Sequence, residues 1–134
     1  MIKGIAGLGS TAQERQELNP LEKVLSKERH AAIVMGGAHT LAFTDDALVG
    51  DPIEKQSFEG IKFNQNAQGQ RESTGPGGIK ISAVKRFAFN STLKRMSVLV
   101  NVNDGFGSPN SYRVLSKGAP EVLCKHIKNL PADY

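Results

Sequence analysis

The chain has 134 residues, 39% hydrophobic and 22% charged, with a net charge of +4. That size suits one domain able to bury its own core, and the balance is that of a folded globular chain rather than a disordered one. The single cysteine, Cys124, excludes an internal disulfide, no apolar run approaches the roughly 20 residues that span a bilayer, and the basic residues are not gathered into one run, which weakens a nucleic-acid role.

Ile2 to Leu8 alternates apolar residues with glycines and predicts a short extended segment. Its glycines lack the spacing of a dinucleotide-binding loop, and the stretch is too short for the apolar region of a secretory signal. Residues 10–19 read as a polar loop. Asn19-Pro20 is a helix start, with Asn as cap and Pro at the first helical position. Leu21, Val24, Leu25, Ala31, Ala32, Val34 and Met35 then predict one helix over Pro20–Met35, interrupted near Ser26 and ended by Gly36-Gly37. His30 and His39 lack a third ligand at a metal-binding spacing and are expected to be structural or surface residues.

Leu41–Phe43 and Ala47–Val49, around Thr44-Asp45-Asp46, predict two short strands joined by a turn, or a strand and a loop. Asp51 and Pro52 then start a second helix, whose inner face is expected to be Ile53, Phe58, Ile61 and Phe63. Glu54 falls in its first turn, where a carboxylate suits the helix dipole. Residues 64–78, rich in Asn, Gln, Gly and Ser, read as a loop without the Gly-Lys-Ser/Thr ending of a P-loop.

Ile79–Val84 predicts a strand running on to Phe87 and Phe89. After a polar connection at Asn90-Ser91, Met96–Val102 predicts its hairpin partner. Near the tip, Phe89 stands among Arg86, Lys94 and Arg95. An aromatic face stacks on a planar base and nearby cations attract phosphate, a pairing that suits a nucleotide. Phe89 is expected to face a pocket and Phe87 the opposite side of the strand. Residues 103–111 read as a turn and Tyr112–Ser116 as a strand. Pro120 opens a helix to about Lys128, stopped by Asn129 and Pro131. Cys124 is expected to be a small buried residue.

Three separated pieces stand out: Gly50-Asp51-Pro52-Ile53-Glu54-Lys55, Phe89 to Met96, and Lys117-Gly118-Ala119-Pro120-Glu121. In this order and separation they closely resemble the nucleotide-binding domain of P-type ATPases, and Lys-Gly-Ala-Pro-Glu is the most specific of them. The Gly-Asp-Pro-x-Glu-Lys form and Leu-Lys-Arg-Met-Ser-Val-Leu look most like type V, subgroup A, the endoplasmic-reticulum pumps that extract misplaced transmembrane helices. Ile2 to Leu8 is similar to the segment just after the phosphorylation motif in that subgroup.

The resemblance implies an α+β fold, a twisted antiparallel sheet flanked by helices, as one domain over residues 1–134. It implies that Phe89 stacks on adenine, Lys94 is the nucleotide-binding lysine, Glu54 reads the adenine amino group, and Lys117 and Gly118 form the pocket floor; Arg95, beside Lys94, is expected from its charge alone to join the binding site. The implied ligand is ATP or ADP, with Mg2+ bound through the nucleotide. The implied partners are the phosphorylation and actuator domains of the same parent chain, on the cytosolic face of the endoplasmic reticulum; nucleic acid and direct membrane insertion are not implied. The phosphorylated Asp-Lys-Thr-Gly string does not occur in this sequence, and a further family arginine would fall beyond Tyr134. The expectation is therefore an excised domain that binds nucleotide without hydrolysing it. The alternative is a basic nucleic-acid-binding or protein-interaction module.

Overall fold

The computed structural model describes residues 2, 4–44, 47–65, 72–103, 110–130 and 132. Strand β6 (Arg95–Asn103) shows how the sequence builds the core. Met96, Val98, Val100 and Val102 are all at most 2% exposed, while Ser97, Leu99 and Asn101 between them are half-buried. A period of two places alternate side chains on opposite faces, so one face of the sheet is interior. β6 lies in a five-stranded antiparallel sheet of order β3 (Asn64–Gln65), β4 (Glu72–Thr74), β5 (Lys80–Asn90), β6, β7 (Ser111–Gly118). Against its inner face pack Val24 from α2 (Val24–Lys27), Ala32 and Ile33 from α3 (Arg29–Gly37), and Phe58 from α4 (Pro52–Gly60). Full burial of a Val, Ile or Phe side chain contributes about 1.5–3 kcal/mol, and of the Ala32 methyl roughly 0.8 kcal/mol. The chain thus adopts the expected α+β architecture.

β5 departs from regular alternation twice. Its register with β6 shifts between Ala83 and Lys85 and again between Phe87 and Asn90. Each shift sets an extra β5 residue against β6, a β-bulge. Strict alternation from Ile81 and Ala83 would turn Lys85, Phe87 and Phe89 all inward. The first bulge instead pairs Phe87 with Ser97 on the outer face and sends Arg86, opposite Val98, inward. The second reverses the parity again and returns Phe89 to the inner side.

Elsewhere the structure corrects several expectations. Asn19 caps no helix: it is buried and its backbone exchanges hydrogen bonds with Ile5, both at 2.8 Å. That bridge is also all that Ile2–Leu8 contributes as extended structure among the described residues. Residues 10–19 contain the short helix α1 (Ala12–Gln16), held by a capping box between Thr11 and Glu14. The predicted Pro20–Met35 helix is a 3-10 turn (Leu21–Lys23), α2, a break at extended Glu28, and α3. Gly36 and Gly37 are the last turn of α3 rather than its stop. A methyl on Gly36 would lie 2.6 Å from Phe63 Cε1, and one on Gly37 2.6 Å from Leu115 Cδ1; the pair lets the helix lie close to the sheet.

The strands β1 (Ala42–Thr44) and β2 (Ala47–Val49) form the expected antiparallel pair, although Asp45 and Asp46 of the turn lie outside the described residues. The 64–78 loop instead contributes the edge strands β3 and β4, with residues 66–71 outside the described set; residues 104–109 of the next loop are outside it too. α4 ends at Gly60, so Ile61 and Phe63 reach the core from the following turn, and Ile53 is 67% exposed rather than inward. The last helix is short: α5 (Pro120–Leu123) passes into a 3-10 turn at Cys124–His126, and Cys124 is exposed, not buried.

Candidate functional site

Glu54 owes its position to the start of α4. Asp51 Oδ1 accepts hydrogen bonds from the backbone N–H groups of Ile53 (2.8 Å) and Glu54 (3.1 Å), and Pro52 occupies the first helical position. With those donors satisfied by Asp51, the Glu54 carboxylate is free to turn away from its own helix. Its Oε2 accepts from the Thr40 backbone N–H at 3.1 Å and from Thr40 Oγ1 at 2.8 Å. Its Oε1 meets the Lys117 ammonium in an ion pair. The helix-dipole reading alone therefore does not account for Glu54: its carboxylate joins α4 to the segment before β1 and to β7.

Lys117 comes from the inner face of β7, paired with Met96. Burial pushes its ammonium below the ordinary lysine value, while the Asp51 carboxylate pulls the other way. Gly118 follows it where the β5–β6 hairpin returns. A methyl there would lie 2.4 Å from the Lys94 carbonyl oxygen and 2.8 Å from Arg95 Cα, and the Ala119 N–H donates to that same carbonyl at 3.1 Å. Only glycine allows this approach without displacement.

Phe89, Glu54, Lys117 and Gly118 meet around one cavity of about 490 Å³, which Thr40, Asp51, Ile53 and Met96 complete. Phe89 is 59% exposed at its rim, an aromatic face left open to a ligand. The volume lies in the usual range for small-molecule sites. Beside it, a smaller cavity of about 170 Å³ shares Ile53, Glu54 and Lys117 and is lined by buried His39. His39 accepts from Leu41 N–H through Nδ1 (3.1 Å) and lies edge-on to Phe58. Burial, then the charges of Arg86 and Lys117, lower its pKa to about 4. It is a structural histidine; His30 is exposed.

The structure does not bring the other two expected residues into this cavity. Lys94 is exposed on the hairpin turn, its backbone in the left-handed region (φ 52). Arg95 lies on the outer face of the sheet, where its guanidinium Nη1 meets His126 Nε2 at 3.0 Å. It lines a different cavity there with Ser97, Ser116 and Leu123. β-strand parity separates it from the pocket: Met96 points inward, so its neighbour Arg95 points outward. Thr40, Ile53 and Met96 are not among the expected site residues, and Thr40 and Met96 carry no local signal for the site. Ile53 had one available, since a residue before Glu54 in the first turn of a capped helix lies at the helix mouth.

Residues 78–132 match the family of the P-type ATPase cytoplasmic domain N. That stretch is under half of the chain; the five-stranded antiparallel sheet with its flanking helices is consistent with that domain's fold. Its similarity to individual proteins extends over nearly its full length. It is 31% identical to the endoplasmic reticulum transmembrane helix translocase of Schizosaccharomyces pombe over 100% of this chain and 11% of that protein. It is 27% identical to the translocase of the same name from Saccharomyces cerevisiae, over 100% of this chain and 10% of that protein. A probable manganese-transporting ATPase of Arabidopsis thaliana is 29% identical over 99% of this chain and 10% of that protein. The chain thus spans about a tenth of the length of these relatives.

Proposed function

We propose that this domain binds ATP or ADP in the cavity between Glu54, Phe89 and Lys117, and that in an intact pump it presents Mg-ATP to an aspartate on a separate phosphorylation domain. The observation that carries the reading is convergence. Four residues from three distant segments of the sequence line one cavity.

The donor set suits the ligand. The Phe89 ring offers a stacking face for adenine. The Glu54 carboxylate accepts only, so it matches an exocyclic amine. Lys117 supplies positive charge, and Gly118 lets the backbone approach closely. Lys94, on the turn after Phe89, is assigned to the phosphates; Arg95, on the opposite face, is not assigned to the nucleotide. Mg2+ is assigned to the phosphate oxygens of the nucleotide, hard donors of the kind it takes. The domain contributes positioning of the γ-phosphate and takes no covalent part in its transfer.

The type V, subgroup A assignment rests on Gly50–Lys55 and Leu93–Leu99, together with similarity of the whole of this chain to about a tenth of each of the two yeast translocases. It implies a position on the cytosolic face of the endoplasmic reticulum, beside the actuator and phosphorylation domains of the parent chain. No helix among the described residues is long and apolar enough to cross a membrane, and cargo is left to the rest of the pump. Calorimetric titration at rising salt tests the reading against a basic nucleic-acid module. ATP affinity should change little with salt. Tight oligonucleotide binding that collapses as salt rises, without ATP binding, contradicts it.

A further inference from the structure

Both oxygens of the Glu54 carboxylate are occupied, and in different ways. Oε2 accepts two hydrogen bonds from a single residue, the Thr40 N–H at 3.1 Å and the Thr40 hydroxyl at 2.8 Å. Oε1 points towards Lys117. Thr40 is exposed, but the backbone on either side of it is anchored. The residue before it, His39, is 2% exposed, and its carbonyl accepts from Arg86 Nη1 at 3.2 Å; the residue after it, Leu41, is 1% exposed. The two donors therefore come from a fixed point of the fold, and with α4 they set the plane of the carboxylate.

We infer that Thr40 is a positioning residue for base selection: it holds Oε2 so that the second lone pair of Oε1, beside the one that faces Lys117, is presented to the exocyclic amine of an adenine base. The inference rests on the proposed nucleotide reading of the cavity. A carboxylate with two acceptor oxygens can rotate about its terminal bond, and that torsion is broad. Charge-assisted bonds from two donors on one residue restrict it. Base discrimination depends on a site group being fixed, because a mobile acceptor can turn away from a mismatched carbonyl and let water or Lys117 fill the gap. Thr40→Val keeps the branched shape and the backbone N–H and removes only the hydroxyl. Oε2 then retains one donor and the carboxylate regains freedom.

The test measures ATP and GTP dissociation constants for the unaltered chain, Thr40→Val, Thr40→Ser and Glu54→Gln, with a melting curve for each. The expected result is an ATP/GTP preference that falls about five- to tenfold in Thr40→Val, the equivalent of losing one good hydrogen bond, and that survives in Thr40→Ser. If Thr40→Val melts below the assay temperature, Thr40→Ala is compared with Thr40→Ser in its place. An unchanged ratio in Thr40→Val or Thr40→Ala, alongside a collapsed ratio in Glu54→Gln, overturns the role of Thr40 and leaves the nucleotide reading standing. A ratio that Glu54→Gln leaves unmoved, or no nucleotide binding by the unaltered chain, overturns the underlying reading as well. A lowered melting temperature with an unchanged ratio assigns Thr40 to stability alone.

Discussion

Glu54, in the first turn of α4, and Lys117, near the end of β7, form an ion pair across the cavity although 63 residues separate them in sequence. Their side chains are 11% and 40% exposed respectively. The pair is thus half-sheltered, and removing one charge leaves the other without its partner.

Glu54→Gln should lower stability by up to about 1 kcal/mol, read as a drop in melting temperature, because Lys117, screened in part by solvent, loses its counter-charge. That drop is expected whether or not Glu54 reads the base. The discriminating readout is the ratio of ATP to GTP affinity. Guanine places a carbonyl where adenine has its amine, so an acceptor would face an acceptor. The unaltered domain should prefer ATP, and the glutamine, with its added donor, should shrink or reverse the preference. An unchanged ratio would remove Glu54 from base recognition.

Phe89→Ala should weaken ATP binding by about 1–3 kcal/mol through loss of the stacking face while the fold survives, since the ring is 59% exposed. Phe87→Ala should leave ATP affinity near its original value. Phe87 lies on the outer face opposite Ser97, with the Lys85 ammonium 5.2 Å from its ring centroid. Paired calorimetric titrations check this, and a larger effect from Phe87 than from Phe89 would reverse the assignment of the two faces.

Much of this arrangement is legible in the sequence where the signal is local. Asp51-Pro52 declares a helix start, and Met96 to Val102 declares a half-buried strand, because both depend on neighbours within a few residues. The expected opposition of Phe87 and Phe89 holds, but not by strand alternation, which puts residues two apart on one face. Phe87 and Phe89, two residues apart, face opposite ways only because a bulge intervenes, and a bulge is a property of the pairing with β6. Thr40 escapes for a similar reason: its link to Glu54 spans 14 residues and exists only once the first turn of α4 lies beside the segment before β1. Gly36-Gly37 reads wrongly as a helix stop because glycine signals either a terminus or a close approach, and only the positions of Phe63 and Leu115 decide between them. Asn19 is drawn from its capping role by Ile5, a partner outside any local window. Arg95 joins the expected site by adjacency to Lys94, whereas strand alternation carries it to the other face.

Gly118→Ala should destabilise the domain by about 1–3 kcal/mol, the usual range for overpacking. The added methyl would meet the Lys94 carbonyl oxygen and the Arg95 backbone, and neither can yield as a flexible side chain would. Relief requires the hairpin end to move, which carries Phe89 with it. Urea denaturation should show the lost stability, and ATP titration should show weakened binding in the surviving folded population. Unaltered values in both measurements would mean that the close approach is readily relaxed.

Acidification should expose His39. Its folded pKa of about 4 lies below the ordinary 6.5, so between those values the unfolded chain binds the proton and the folded chain does not. Stability therefore rises with pH through this window and is lost as pH falls from 6.5 towards 4. Between pH 7.5 and pH 5 the loss from this one group should be about 2 kcal/mol. Melting curves across that range should fall for the unaltered chain and be flatter for His39→Gln. Equal slopes would show that His39 takes up its proton without cost.

The most direct test of the account is a chemical-shift titration of the isotope-labelled 134-residue chain with Mg-ATP. Changes should concentrate on the amides of Thr40, Ile53, Glu54, Phe89, Lys117 and Gly118, and saturate with a dissociation constant of about 0.1–1 mM, or roughly −5.5 to −4 kcal/mol. Phosphate release should stay at the protein-free level. Ser97 and Ser116, on the outer face, should remain quiet. Saturable changes centred on the cavity of Arg95 and His126, or none that saturate near the Glu54–Lys117 pair, would contradict the placement of the nucleotide.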